Sequence, residues 1–184
     1  MPIASEVSTE LVEVATLPTE MDWFGFAVAN EKILVVTIGD RSENAARRRL
    51  KQKLSRISRD GEIVEGTSTL VQRLQQDLQR FTSGEAIDFR NYDVCSDHLT
   101  DFQKRVLDAV RKIPCGETLS YAEVAERAGS PRAARAVGNV MANNRTPIVV
   151  PCHRVLASGG KWGGFTAPGG VNFKRRLLAL EANH

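Results

Sequence analysis

Cysteine and histidine are scarce in this chain of 184 residues, with three of each. An odd cysteine count argues against a disulfide framework. No CxxC or HxxxH pair occurs, so the common structural zinc spacings are missing and no metal is expected. Neither GxxxxGK[ST] nor GxGxxG is present, so no phosphate or dinucleotide loop is expected, and no cofactor. No apolar run approaches the ~20 residues of a membrane span. The amino-terminal stretch MPIASEVSTELVEV lacks a basic segment followed by an apolar one, which excludes a secretory signal of the usual form. The expected location is therefore cytoplasmic, or nuclear in a eukaryotic source. Acids are nearly missing from the last third: from Arg127 onward Glu181 stands alone against Arg127, Arg132, Arg135, Arg145, Arg154, Lys161, Lys174, Arg175 and Arg176. A basic third beside a near-neutral front points to a polyanionic partner or to a solvated basic face.

What is present divides near residue 90. Residues 11–38 alternate as strands, in LVEVATL, WFGFAVAN and KILVVTIG, with Pro18, Asn30 and Gly39-Asp40 as turn residues between them. A small antiparallel sheet is expected. Ser42 is the candidate cap of a basic helix, whose Arg47, Arg48, Arg49, Lys51 and Lys53 read as solvated surface because no aromatic residues interleave them. Leu70, Leu74, Leu78 and Phe81 form the apolar stripe of a second helix, closed by Gly84. After AIDFRNYDVCSDH the texture becomes helical. Thr100 is a candidate cap for TDFQKRVLDAVRKIP, and Ser120 for YAEVAERA. Ser130 can cap the following helix, RAARAVGNVMANN, with Pro131 at its first position. Two short helices joined by a turn containing Gly129 predict a helix-turn-helix. The second helix is small and smooth, with Arg135 its one long side chain among alanines. On residue type alone Arg135 reads as a surface arginine. Cys95 and Cys115 read as small buried hydrophobes.

Cys152 is different, because TPIVVPCHRVLAS sets it beside His153. This stretch fits a buried apolar strand that delivers its last residues to a site. It also fits a thiol nucleophile with an activating base. If the terminal helix FKRRLLALE folds back, Glu181 can orient His153. Asn144 can bond backbone or thiolate, and the glycine-rich SGGKWGGFTAPGG can wall a pocket for a planar ligand.

The combination of SYAEVA, ARAVGNVMANN, PIVVPCHRV and GGFTAPGG followed by KRRLLALE resembles the O6-alkylguanine-DNA alkyltransferase family, over nearly all of residues 102–181. That resemblance implies an α+β protein: residues 1–90 a small ribonuclease H-like α/β domain with an antiparallel sheet and a mainly structural role, residues 91–184 a helical DNA-binding and alkyl-acceptor domain with a winged helix-turn-helix. It implies irreversible, single-turnover transfer of an alkyl group from flipped O6-alkylguanine to Cys152, with O4-alkylthymine a second candidate substrate. The partner implied is double-stranded DNA carrying the lesion, bound by a monomer, with no membrane. Carried over by position, His153 acts as base through water with Glu181 behind it. Asn144 holds the geometry. Tyr121 crowds the target phosphate and helps protonate the leaving guanine, and Arg135 fills the gap in the base stack. Met141, Pro147, Val155, Phe165 and Thr166 line the pocket, and Gln103, Ser130 and Ser158 meet the DNA backbone. The chain departs from the family in having Phe165-Thr166 where many members carry tyrosine and serine, and it has no cysteine or histidine before Cys95 for an amino-terminal zinc site. Three competing readings are a non-catalytic alkylated-base-binding protein of the same fold, a helix-turn-helix DNA-binding regulator, and a cysteine hydrolase. Retention of Cys152 speaks against the first. The scarcity of base-reading side chains on the second helix speaks against the second. The third needs an oxyanion hole and repeated turnover.

Overall fold

The computed structural model describes residues 11–57 and 61–182. His184 lies outside the described residues. Three strands open the chain: β1 (Leu11–Thr19), β2 (Asp22–Ala29) and β3 (Lys32–Asp40). They pair antiparallel in sequence order. Asn30 and Glu31 both take positive φ (49° and 58°), as a two-residue type I′ hairpin turn requires. After α1 (Glu43–Leu54), a short β4 (Glu62–Glu65) joins β1 in parallel, giving the order β3-β2-β1-β4. Sequence alternation missed β4, which has only four residues and buries none of them. Two expected turn positions are corrected. Pro18 lies inside β1, paired with Trp23, and Gly39-Asp40 end β3. Proline is tolerated there because β4 pairs with Leu11–Val14, so among the described residues the strand has no neighbour on that side at Pro18.

Both sheet faces are covered. Leu50 of α1 packs with Val12, Ala27, Ala29 and Leu34 on one face. On the other, Leu70, Leu74, Leu78 and Phe81 of α2 (Thr69–Thr82) pack on Phe24, Phe26, Val36 and Ile38. The expected apolar stripe of α2 is therefore the one buried, and each such side chain contributes about 1.5–3 kcal/mol. Edge strand β3 is not left open. Its Ile33 N–H donates to Asp93 C=O (2.8 Å), and its Val36 N–H donates to Arg145 C=O (2.8 Å). These bonds tie the second half of the chain to the sheet.

That half contains α3 (Asp101–Arg111), β5 (Leu119–Ser120), α4 (Tyr121–Arg127), α5 (Ala134–Ala142), β6 (Val155–Leu156) and α6 (Gly170–Glu181). The mixed helices and strands agree with the expected α+β class. Ser42, Ser68, Thr100 and Ser120 cap their helices, and the last two form capping boxes with Gln103 and Glu123. Ser130 does not. Residues 130–133 form a turn, closed by Ala133 N–H to Ser130 C=O, and α5 starts at Ala134 without a side-chain cap. Val106, Val110, Val124, Ala125, Val137 and Val140 build a core that also takes in Val150, Cys152 and Val155. The expectation for Cys95 and Cys115 is corrected as well: both are partly exposed, and Cys152 is the buried thiol. Among the described residues, no helix is long and apolar enough to cross a membrane.

Candidate active site

The segment before the cysteine is a tight turn rather than a strand. Val150 N–H donates to Thr146 C=O (2.8 Å), and Ile148 takes φ +73°. A β-branched residue rarely occupies that region, and such strain costs about 1–3 kcal/mol. The turn folds because its side chains part company. Ile148 and Val149 enter the sheet core, whereas Val150 enters the helical core. Asn144 ties it from inside: its Oδ1 accepts from Thr146 N–H (3.0 Å) and its Nδ2 donates to Val150 C=O (2.9 Å). Cys152 follows in a single 3₁₀ turn, 7% exposed, as part of the helical core. β6 then pairs with β5 through Leu119–Val155 and Ser120–Leu156, linking the cysteine turn to the start of α4 and Tyr121.

His153 is fully buried. Its Nε2–H donates to Glu181 Oε1 at 2.8 Å, which leaves Nδ1 as the nitrogen with a lone pair. Nδ1 is buried without a partner among the described residues. Burial pushes the imidazole below its ordinary value against the pull of Glu181, so the ring is neutral near pH 7. Burial alone would raise the Glu181 carboxyl, but His153 and Arg154 hold it down at about 2. Arg154 grips that carboxylate through Nε (3.0 Å) and Nη2 (2.8 Å) and donates Nη1 to Ile113 C=O (2.6 Å). The result is a buried His–Glu–Arg network in which the carboxylate is anionic and the imidazole is a base. At the thiol, burial raises the titration point, opposed by a hydrogen bond from Asn144 and by the charge of Lys174. Lys174, fully buried, donates Nζ to Val155 C=O (2.6 Å) and Trp162 C=O (2.8 Å), and burial lowers it to about 8.

Cys152 forms part of the wall of a cavity of about 380 Å³, together with Tyr121, Arg135, Met141, Phe165 and Thr166. That volume suits one small planar ligand. Gly138 faces open space there; a Cβ at that position would meet nothing. Tyr121 packs against the glycine-rich loop at Gly163 (φ +64°), where a Cβ would come within 2.8 Å of the phenol oxygen. Burial, then the Cys152 charge, raises the Tyr121 phenol, so it keeps its proton. Phe165 stacks on Phe173 of α6, with centroids 6.4 Å apart. Pro147 lines a smaller recess that also touches Cys152. Val155 lines neither space; it is a core side chain that presents its carbonyl to Lys174. Gln103 spends its Oε1 on the Thr100 N–H, Ser130 sits in the interhelical turn and Ser158 is exposed in the loop after β6. None of these three lines the cavity beside the thiol.

Arg154 and Lys174 escaped the sequence reading. The signal was available in α6, where Phe173, Lys174, Leu177 and Glu181 share the buried face. Charged residues on an apolar stripe are either an error of register or members of a buried polar network.

Fold and site together define a class of cysteine protein: a buried thiol next to a neutral His153 held by the Glu181 carboxylate, opening on a cavity beside the α4–α5 helix pair. Comparison with known proteins narrows the class. Residues 101–183 match the family model described as 6-O-methylguanine DNA methyltransferase, DNA binding domain. A methylated-DNA–protein-cysteine methyltransferase of Mycobacterium bovis is 49% identical over 105 residues, covering 56% of this chain and 61% of that protein. Its counterpart in Methanothermobacter thermautotrophicus is 43% identical over 112 residues, covering 60% of this chain and 61% of that protein. These alignments thus span less than two thirds of the curated relatives. The crystal structure of Mycobacterium tuberculosis O6-methylguanine methyltransferase superposes with a TM-score of 0.71 at 31% identity, covering 94% of this chain and 93% of that one. The chain belongs to the O6-methylguanine-DNA methyltransferase family.

Proposed function

We propose that the protein repairs DNA by taking the alkyl group of O6-alkylguanine, methyl above all, onto Cys152 once and irreversibly. His153 Nδ1 removes the thiol proton, through a water, and Glu181 stabilises the imidazolium that forms. The sulfur attacks the alkyl carbon in line with O6. The carbon–oxygen bond breaks as the sulfur–carbon bond forms, and the electron pair leaves on O6. Tyr121 passes its proton to the departing guanine and regains one from the imidazolium through water, so the thiol proton ends on the base and His153 returns to neutral. No group returns the alkyl from sulfur, so the protein is consumed. O4-alkylthymine is the second substrate in this reading.

The single observation that carries the proposal is the buried thiol opening on a base-sized cavity beside a neutral His153 held by Glu181. The tight Asn144 ties support its role in holding the turn. Arg135, exposed on α5, fills the vacated base stack in this reading, and Met141, Pro147, Phe165 and Thr166 hold the base and its alkyl group; that these five line the two spaces at Cys152 supports it. Val155 contributes its backbone. Gln103, Ser130 and Ser158 meet the DNA backbone, and the winged helix-turn-helix reads double-stranded DNA from its minor groove. The division into residues 1–90 and 91–184, a monomeric state and a cytoplasmic location complete the reading. The test is to incubate the protein with a duplex containing O6-methylguanine and map the product by mass. One methyl on the Cys152 peptide is expected. A folded sample that gains no methyl, or gains it on Cys95 or Cys115, overturns the assignment.

A further inference from the structure

The basic helix α1 reads from sequence as solvated surface, yet two of its cations line a recess that the Cys152 thiol also lines. A recess of about 20 Å³, room for about one water-sized group, is lined by Arg49 and Lys53 of α1 together with Asn144, Pro147 and Cys152. Arg49 and Lys53 are four residues apart and so share a helix face. Their charges do different things. Arg49 Nε donates to Asp40 Oδ1 at 2.8 Å, and Asp40 is buried, so these two charges offset each other. Lys53, in the last turn of α1, supplies the net positive charge of that wall.

The charged groups around Lys53 are Arg49 on its own helix, Arg56 in the turn that follows it, Asp40 from β3 and the Cys152 thiol. Around Cys152 they are Lys53 and Lys174, with Tyr121 on the cavity side and His153 next in the chain. Lys174 is pinned to two carbonyls and holds its proton weakly, titrating at about 8. Lys53 is lowered by burial as well, so a developing thiolate here is favoured by two cations, Lys174 and, across the recess, Lys53.

We propose that Lys53, contributed by the sheet half of the molecule, is the electrostatic partner that stabilises the Cys152 thiolate, acting across the small recess without touching the substrate. This rests on the reading of Cys152 as alkyl acceptor, and it deepens that reading: the first half of the chain takes part in the chemistry of the second. Lys53 is a positioning residue in this sense. Burial raises the thiol, and the Lys53 and Lys174 charges lower it again, so removing one charge must move the thiolate titration upward.

The experiment uses the full chain and its Lys53→Met and Lys53→Arg variants. The Cys152 thiolate is titrated by ultraviolet absorbance, as the difference from the matching Cys152→Ser protein. Single-turnover methyl transfer and iodoacetamide labelling of the Cys152 peptide are measured at pH 7. Lys53→Met is expected to move the titration up by about one pH unit and to slow both reactions about tenfold. Lys53→Arg keeps the charge and is expected to stay within about threefold of the starting protein. An unmoved thiolate titration in Lys53→Met overturns the proposal. So does a Lys53→Arg protein that behaves like Lys53→Met, since the role would then be packing. If the unsubstituted protein transfers no methyl while labelling still responds to Lys53, the assignment of Lys53 stands and the alkyl-transfer reading fails.

Discussion

The two cores of this molecule are built from different materials. The sheet core is apolar but for the Tyr92 hydroxyl, which donates to Asp77: Phe24, Phe26, Leu74, Leu78 and Phe81 are sealed, and its stability comes from area removed from water. The core around the thiol carries Glu181, Arg154, His153 and Lys174 in the same degree of burial. Burying those charges costs free energy that the hydrogen bonds among them offset but do not exceed by much. The first core holds the fold, and the second keeps costly groups in place for chemistry. Ile148 and Val149 plug the turn before the cysteine into the first core, so the apolar half braces the strained, charged half.

Substitutions at the charged core should have the largest effects. Glu181→Ala leaves Arg154 buried without its carboxylate, and a loss of about 3–5 kcal/mol in urea unfolding is expected. Glu181→Gln should cost less stability but still slow transfer, because the imidazolium loses its counter-charge. Equal stability for Glu181→Ala and the unsubstituted protein would contradict the network.

Leu74→Ala tests the other side. It should cost about 2–4 kcal/mol through a cavity in the sheet core, while methyl transfer by the remaining folded protein keeps its rate. A slowed transfer in fully folded Leu74→Ala would dissolve the distinction between the cores.

Acid should separate the cores within one sample. His153 has a depressed folded value, so the unfolded chain binds its proton first, and stability falls as pH drops below the unfolded value of about 6.5. Glu181 is held at about 2 against an ordinary value of 4.5. Its contribution, roughly 3 kcal/mol, is present above 4.5 and lost as pH falls toward 2. Hydrogen exchange on acidification should therefore free the α6 amides before those of β2 and β3. The reverse order would contradict the account.

The smallest effect expected is at the helix starts. Ser120→Ala removes the side chain that accepts from Glu123 N–H and should cost about 1 kcal/mol in thermal unfolding. The same change at Ser130, whose side chain caps nothing, should cost less than half of that.

These caps show what was legible. Ser42, Thr100 and Ser120 each precede an apolar repeat at helical spacing, and that local chemistry decides the helix start. Ser130 carries the same signal, but the Ser130–Ala133 turn uses its backbone first. Cys152, His153 and Glu181 were legible because two rare residue types adjoin and the terminal helix carries a lone acid. Arg154 was not, since a surface arginine and a buried one are spelled alike; only the Glu181 contact distinguishes them. IVV reads as a strand, and its positive φ at Ile148 is set by two cores competing for neighbouring side chains, which no local pattern encodes. Lys53 hid for the same reason: its neighbour Cys152 is distant in the chain.

The measurement that bears most directly on the central claim is stoichiometry. Titrating increasing amounts of protein against a fixed excess of O6-methylguanine duplex should give repaired guanine equal to protein added, with no further repair after the first burst. Repair that continues beyond one guanine per protein would show that Cys152 is regenerated, and would contradict its role as a terminal acceptor.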